Sequence, residues 1–405
     1  MSRGPRPTRA GRLLLAASAG AALAARLLGL VELDVLAAAG VLVVGLALLR
    51  VQLLRPRLEV RRSVRPSRVH VGSRAAVEVE VTSAGRRATP VLTLRDPVGG
   101  RAGARLSVAP LAPGHSVRAT YRLPTHQRGE VPVGPLLAEV SDPFGLARRG
   151  RPVAGRVRLL VLPRVDRIPP LGRTPGSEPL AGQDGRPSAG GAGDEFHALR
   201  PYVVGDDLRR VHWPMSARAD DLVVRHDEEP RQGRLTLVLD VEERRSRPDG
   251  FERMVSAAAS IATAHWRRGD IVRLLDTGGG DSGWVTGEVA FEQLLEALAL
   301  VERTDDADLR ATLGRIPSAA DAVVAVAGNV TDPEVGLLPG RRLARAGAPL
   351  HLTLVRFPAT RSLTSQAGAV VAGVRVVNVA PRGDFAASWA EAGPARRGAP
   401  VGSRA

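Results

Sequence analysis

Cysteine is absent from this 405-residue chain, which excludes disulfide frameworks, thiolate zinc sites and cysteine nucleophiles together. Lysine is absent too, so no Gly-x-x-x-x-Gly-Lys phosphate loop can be written anywhere in it. Aromatic residues make up only 3%, too few to stack along a single-stranded nucleic acid. The net charge of +16 is therefore carried by arginine alone, spread along a sequence rich in Ala, Gly, Val and Pro. That spread argues against a nucleic-acid face. His-Glu-x-x-His and Gly-x-Ser-x-Gly patterns are also missing. What remains is 44% hydrophobic residues over a length that calls for two or three domains.

The first of these is written in residues 1–55. Arg3, Arg6, Arg9 and Arg12 precede an apolar stretch from Leu13 to Leu30, interrupted only by Arg26. A polar break, Glu32 to Asp34, leads into uncharged Val35 to Leu49, and Arg50, Arg55, Arg57, Arg61 and Arg62 follow. About 20 apolar residues cross a bilayer, and flanking arginines extend a slightly short span by snorkelling. Positive charge at both ends predicts a two-pass hairpin in the plasma (inner) membrane, with both termini cytoplasmic and Glu32–Asp34 outside. A cleaved signal peptide at Ala17-Ser18-Ala19 is the rival reading, but the second apolar run and second basic cluster disfavour it.

Residues 56–165 change to period two. Ala76 to Val81 alternates apolar and polar, and Val91–Leu94, Ser116–Leu123, Leu136–Val140 and Val157–Leu162 read as further short strands. Gly85, Pro97, Gly99, Pro113, Gly129 and Pro132 read as the punctuation between them. This predicts an all-β antiparallel sandwich of immunoglobulin or fibronectin type. Residues 166–193 read as a Pro/Gly-rich linker. It ends in Gly193-Asp194-Glu195-Phe196, which is not the cyclase signature of similar spelling, because these glycines close a linker rather than a hairpin.

Residues 194–234 hold the densest cluster: Glu195, Phe196, Leu199, Arg200, Tyr202, Gly205, Asp206, Arg209, His212, Trp213, Ser216, Ala217 and Arg218. Asp206 is placed to accept paired bonds from Arg200, Arg209 or Arg218. Three readings stay open: a structural clasp, a protein-docking face, or an acid–base set of Asp206, His212 and Ser216. With Gln127-Arg128-Gly129-Glu130 and Asp142-Pro143-Phe144-Gly145-Leu146 upstream, these residues resemble domain-of-unknown-function family 58. The resemblance implies a membrane hairpin, a β domain and an α/β domain, with no assigned activity. It also implies association with MoxR-type AAA+ ATPases and transglutaminase-like membrane proteins.

Residues 235–390 alternate strand and helix. Leu235–Asp240, Ile271–Leu275, Ala322–Ala327, Leu350–Val355 and Val374–Val379 read as strands. Phe251–Arg267, Phe291–Val301 and Arg341–Ala346 read as helices, with Met254 and His265 as packing residues, and Gly278–Gly280 as a turn. A mostly parallel sheet covered on both faces follows, resembling the von Willebrand factor type A fold. In that fold Asp-x-Ser-x-Ser after the first strand holds magnesium, which takes hard oxygen ligands. Here the positions read Asp240, Glu242 and Arg244, and Gly328-Asn329 stands where a later acid is expected. The metal site is degenerate, retaining only Asp240 and Glu242, with the charge of Arg244 competing for it. Residues 391–405 read as a disordered tail. The sequence thus predicts a membrane-anchored cytoplasmic scaffold or adaptor, without cofactor or catalysis. A hydrolase using the Glu195–Arg218 cluster and an extracytoplasmic adhesion module are the alternatives.

Overall fold

The computed structural model describes residues 3–171, 199–203, 211–218, 222–225, 233–316, 322–338, 351–359, 369–371 and 374–392. They fall into two units, Met1–Arg164 with Leu295–Val301, and Val165–Leu294 with Glu302–Ala405.

In the first unit, β1 (Arg3–Pro7) runs through Thr8 into α1 (Arg9–Leu28). The Thr8 hydroxyl caps that helix by accepting the Gly11 N–H at 3.2 Å. Gly29, at φ 68°, closes it in the left-handed conformation that favours glycine. α2 (Val31–Leu53) follows at once. At 1.5 Å per residue the two helices are about 30 and 35 Å long, enough for the hydrocarbon core. Glu32 and Asp34, expected to form the turn, instead lie in the first turn of α2, where the helix dipole favours them. The pair packs closely, since a Cβ on Gly40 would sit 2.1 Å from the Ser18 hydroxyl.

The same unit continues with β2 (Leu58–Arg65), β3 (Arg68–His70), β4 (Ala76–Ser83), β5 (Leu92–Val98), β6 (Arg101–Val108) and β7 (Ser116–Arg122). It ends with β8 (Gly129–Val133), β9 (Leu136–Ser141), β10 (Ala147–Ala154) and β11 (Val157–Leu162). Strands β2, β4 and β7 form one sheet, while β1, β10, β9, β5, β8, β11 and β3, with β6 on β5, form the other. Val77, Val79 and Val81 of β4 are buried while Glu78 and Glu80 alternate away from them, and one core joins residues of both sheets. The sandwich is not purely antiparallel, because β11 pairs with β3 in parallel. Pro97, Gly129 and Pro132, read as punctuation, lie inside β5 and β8.

One polar contact crosses the core. Asp96 on β5 is 0% exposed, pairs with Arg62 Nη1 on β2 at 2.7 Å, and accepts the Tyr121 hydroxyl of β7 at 2.6 Å. In the sequence Arg62 stands with Arg61 among the charges that follow the second apolar run. Arg61 is indeed exposed, but Arg62 turns inward and also donates to the Gly155 carbonyl. Burial and the neighbouring Asp96 carboxylate both push the Tyr121 phenol well above its ordinary pKa.

The hairpin is bolted to this sandwich. β1 pairs antiparallel with β10, and the Thr8 N–H donates to the Leu146 carbonyl at 2.8 Å. Arg149 donates to the Gln52 carbonyl at 3.1 Å and Arg151 to the Pro56 carbonyl at 2.6 Å, satisfying acceptors at and beyond the end of α2.

In the second unit, β12 (Leu199–Pro201) pairs antiparallel with β13 (Val223–Arg225), and the short α3 (Trp213–Ser216) lies between them in sequence. Then come β14 (Arg234–Leu239), α4 (Pro248–Arg267), β15 (Ile271–Asp276), β16 (Asp281–Val285), α5 (Glu288–Leu300, counted with the first unit from Leu295) and α6 (Leu309–Gly314). They are followed by β17 (Ala322–Ala327), α7 (Asp332–Gly336), β18 (His351–Arg356), β19 (Val370–Val371), β20 (Val374–Asn378) and α8 (Phe385–Ala392). The sheet order is β16-β15-β14-β17-β18-β20-β19, parallel except for the two edge strands. Consecutive residues Leu235 to Leu239 and Val323 to Ala327 are buried, so both faces of the sheet are covered. Gly278–Gly280 forms the turn between β15 and β16. The helix expected at Arg341–Ala346 lies outside the described residues.

Two boundaries move. By sequence, residue 165 ends the sandwich and residues 166–171 begin the linker. Instead they dock on the α/β unit: Asp166 N–H donates to Ser260 Oγ at 2.9 Å, and Trp389 Nε1 donates to the Pro169 carbonyl at 2.8 Å. Glu391 and Ala392, assigned to the tail, belong to α8. Residues 172–193 of the linker and 393–405 of the tail lie outside the described residues.

His265 holds this docked segment. Its Nε2 accepts the Leu171 N–H at 3.2 Å, which leaves the proton on Nδ1, 2.8 Å from Asp270 Oδ2. Burial pushes the imidazole below its ordinary pKa, against the pull of Asp270. Burial also disfavours the Asp270 anion, but bonds from His265 and Arg268 outweigh it and hold the carboxyl below its usual range. An unfolded chain therefore takes up these protons first, and stability is lost as pH falls below about 6.5. The difference in melting temperature between the full chain and His265→Asn, followed from pH 8 to 5, should show the histidine part of this loss.

Candidate functional site

Two places on the second unit, among the described residues, bring candidate residues together. The first is the signature segment. Its frame is the β12–β13 pair, extended by Tyr202 N–H to the Leu222 carbonyl and His212 N–H to the Val223 carbonyl, both at 2.8 Å. His212 caps α3, its Nδ1 accepting the Met215 N–H at 3.2 Å. Ser216 Oγ accepts the Val223 N–H at 2.8 Å. Both side chains are thus committed to local backbone bonds. Trp213, at 63% exposed, stands out from this frame together with Val203, Met215 and Leu222. Ala217 and Arg218 are also exposed. Leu199 and Arg200 lie in β12. Glu195, Phe196, Gly205, Asp206 and Arg209 lie outside the described residues, and with them the clasp expected at Asp206.

The second place is the crevice beyond the carboxyl ends of β14 and β17, where successive parallel connections diverge. Open α/β sheets place ligands at such a point. Asp240 leaves β14 here and is 1% exposed. Its Oδ1 accepts the Glu242 N–H at 3.1 Å and the Thr277 hydroxyl at 3.3 Å. Its Oδ2 is buried without a hydrogen bond and faces Arg245 Nε at 3.6 Å. Arg245 also reaches Glu242 Oε2 at 2.5 Å and Glu334 Oε1 at 3.3 Å. Glu334 closes a capping box with Thr331 at the start of α7. Burial raises Asp240 to about pKa 6, only partly countered by the Glu242 N–H and the Arg245 charge.

These contacts correct one sequence expectation. Arg244 was expected to compete for the degenerate metal site, but it is exposed, and Arg245 is the cation that faces Asp240 and Glu242. The 3-10 turn Glu243–Arg245 turns the side chain at 245 inward. Gly328 and Asn329, in place of a later acid, hold that turn. The Asn329 N–H donates to the Arg245 carbonyl at 2.7 Å, and a Cβ on Gly328 would sit 2.2 Å from the same oxygen. The acid of this edge is Glu334, legible in the sequence only as the fourth residue of Thr331-x-x-Glu334. Among the described residues no three His, Cys, Asp or Glu side chains are grouped to hold a metal ion. Arg245, Thr277 and Met215 were not anticipated, because nothing local marks an arginine or threonine as facing a buried acid.

Comparison with known proteins adds the following. Curated proteins give no match. Among solved structures, a CARDB domain from Pyrococcus furiosus, crystallised in complex with di-metal ions, is 20% identical over 27% of this chain and 94% of its own, with a TM-score of 0.21. A solution NMR structure of a CARDB domain from the same organism is 16% identical over 26% of this chain and 97% of its own, with a TM-score of 0.20. The alkylpurine DNA glycosylase AlkC of Pseudomonas fluorescens, bound to DNA containing an abasic site analog, is 16% identical over 28% of this chain and 33% of its own, with a TM-score of 0.18. Likenesses this slight carry no weight for function. Residues 198–356, which run from the exposed signature face through the Asp240 crevice to the end of β18, match the family described as Protein of unknown function DUF58. It is in that segment, residues 198–356 of the 405, that the chain is similar to the DUF58 family.

Proposed function

We propose that this chain is a membrane-anchored scaffold or adaptor whose cytoplasmic α/β unit docks a protein partner. The observation that carries the reading is the exposed apolar face of Val203, Trp213, Met215 and Leu222 within the family's own segment. Exposed tryptophan and methionine on a hydrogen-bonded frame are the residues that anchor protein interfaces. The partner class is the one the family resemblance implies, a MoxR-type AAA+ ATPase, in an assembly that includes a transglutaminase-like membrane protein. The sandwich serves as an immunoglobulin- or fibronectin-like spacer. The parallel sheet with Asp240 directly after its first strand supports the von Willebrand factor type A-like reading of the second unit. Arg245 facing Asp240 supports docking without metal, and the local bonds of His212 and Ser216 support a non-enzymatic role.

The membrane topology has its own support. β1 pairs with β10, so the segment before α1 and the sandwich after α2 lie on one side of the bilayer, as a two-pass hairpin requires. Arg9, Arg12, Arg50, Arg55 and Arg57 flank the helices on that side, and such charge prefers the cytoplasm.

Purification from the native membrane in mild detergent tests the docking. Wild type should carry an AAA+ ATPase, and Trp213→Ala should lose it by roughly tenfold or more at unchanged melting temperature. Equal recovery with both chains would refute docking at this face. Because the chain has no cysteine, Ser282→Cys supplies a unique thiol on β16. Labelling of that thiol in intact cells by an impermeant reagent would overturn the cytoplasmic placement.

A further inference from the structure

We propose that the Asp142–Leu146 turn is a third membrane-contacting element, which inserts Phe144 into the bilayer beside the helix hairpin. The inference rests on the reading of α1 and α2 as membrane-spanning. Phe144 is 78% exposed, the largest exposure of a large apolar side chain among the described residues. The turn that presents it is preformed. Asp142 is buried and accepts the Phe144 N–H at 2.9 Å and the Ala147 N–H at 2.5 Å. The Gly145 N–H returns to the Asp142 carbonyl at 3.1 Å, with Gly145 at φ 68°. An aspartate of this kind fixes a turn whose exposed tip needs no packing of its own.

The position of the turn identifies what covers the ring. Leu146 and Ala147 are buried against Val44, Ala47 and Val51 of α2, with Leu14, Leu15 and Leu48 packed beside them. Leu14, Leu15, Val44 and Leu48 belong to the two apolar stretches, so the turn sits level with their arginine-flanked ends. The fit is close, because a Cβ on Gly11 would sit 2.2 Å from the Leu146 carbonyl. Exposed Arg9, Arg12 and Arg148 surround this level. An aromatic ring beside arginines at the end of a membrane helix is the chemistry of an interfacial anchor, entering roughly 5–10 Å below the headgroups and drawing anionic lipid. The ring thereby adds a third membrane contact to the one the two helices give the sandwich.

The cysteine-free chain permits a direct test. Full-length Phe144→Cys, Leu42→Cys and Arg101→Cys are each labelled with an environment-sensitive fluorophore and reconstituted in vesicles containing phosphatidylglycerol. Leu42 is an exposed residue of α2, and Arg101 starts β6, at the far end of β5 from the edge that faces β10's first residues. The label at 144 should be quenched by a lipid carrying a nitroxide high on its acyl chain and shielded from aqueous iodide. The label at 42 should be lipid-quenched, and the label at 101 should respond to iodide alone. If 144 behaves like 101 while 42 is lipid-quenched, the hairpin stands and the inserted turn is wrong. If 42 is itself open to iodide, the membrane reading fails and the insertion with it.

Discussion

Asp96→Ala should destabilise the sandwich by about 3–5 kcal/mol, because it strands a buried guanidinium. The Arg62 side chain is 2% exposed and its carboxylate partner 0%, so water cannot take the place of Asp96 without opening the core. Tyr121 loses its acceptor in the same step. The three side chains come from β2, β5 and β7, that is, from both sheets, so the loss falls on the contact between layers. Thermal melting of the purified full chain reads the size of the effect. Amide exchange at Val77 to Val81, in the middle of the small sheet, assigns it to this domain. The double variant Arg62→Met with Asp96→Leu should recover most of the loss, since replacing a buried pair by apolar volume is often neutral. A loss below about 1 kcal/mol in Asp96→Ala would mean that Arg62 reaches solvent, contrary to the geometry.

The second large effect is one of pH, with the opposite sign to the usual carboxylate. Asp240 has a folded pKa of about 6, against the ordinary aspartate value of 3.8. Between those values the folded chain keeps a proton that the unfolded chain has released. Stability therefore falls as pH rises from about 4 to about 6, by about 3 kcal/mol in total, and is level above. Urea unfolding across this range should show the fall in wild type and its absence in Asp240→Asn. Arg245→Met removes the guanidinium 3.6 Å from Asp240 Oδ2, which should raise the pKa further and extend the fall to higher pH. A wild-type profile indistinguishable from that of Asp240→Asn would place Asp240 in contact with water. The His265–Asp270 pair acts in the reverse direction over an overlapping range, so each slope must be read as a difference from its own variant.

Both predictions turn on residues whose roles the sequence hid. Arg62 reads as one of a run of arginines after a membrane helix, and only its strand register separates it from exposed Arg61. Asp240 was legible as the carboxylate that ends a buried strand. Its partner was not, because a 3-10 turn decides whether Arg244 or Arg245 points inward. Strand β1 was invisible for a related reason. Arg3-Gly-Pro-Arg-Pro7 has no strand propensity, and only its pairing with β10 makes it extended. β10 itself, Ala147-Arg-Arg-Gly-Arg-Pro-Val-Ala154, carries no alternating pattern to announce it.

What the sequence determined by itself are the features set by local patterns of apolar residues. Two membrane-length helices follow from long apolar runs, and strands such as Val157–Leu162 and Ala322–Ala327 from short apolar or alternating runs. The family segment was equally legible, since its motif is carried by residue identity and spacing. The tertiary structure alone decided which charges are buried, which turn lies beside the helix ends, and which apolar side chains stand exposed beside Trp213. Those outcomes depend on contacts between residues far apart in the chain, such as Arg62 with Asp96, Thr8 with Leu146 and Arg245 with Glu334. Such contacts form only when closing the intervening chain is repaid by burial, a balance that no local pattern records.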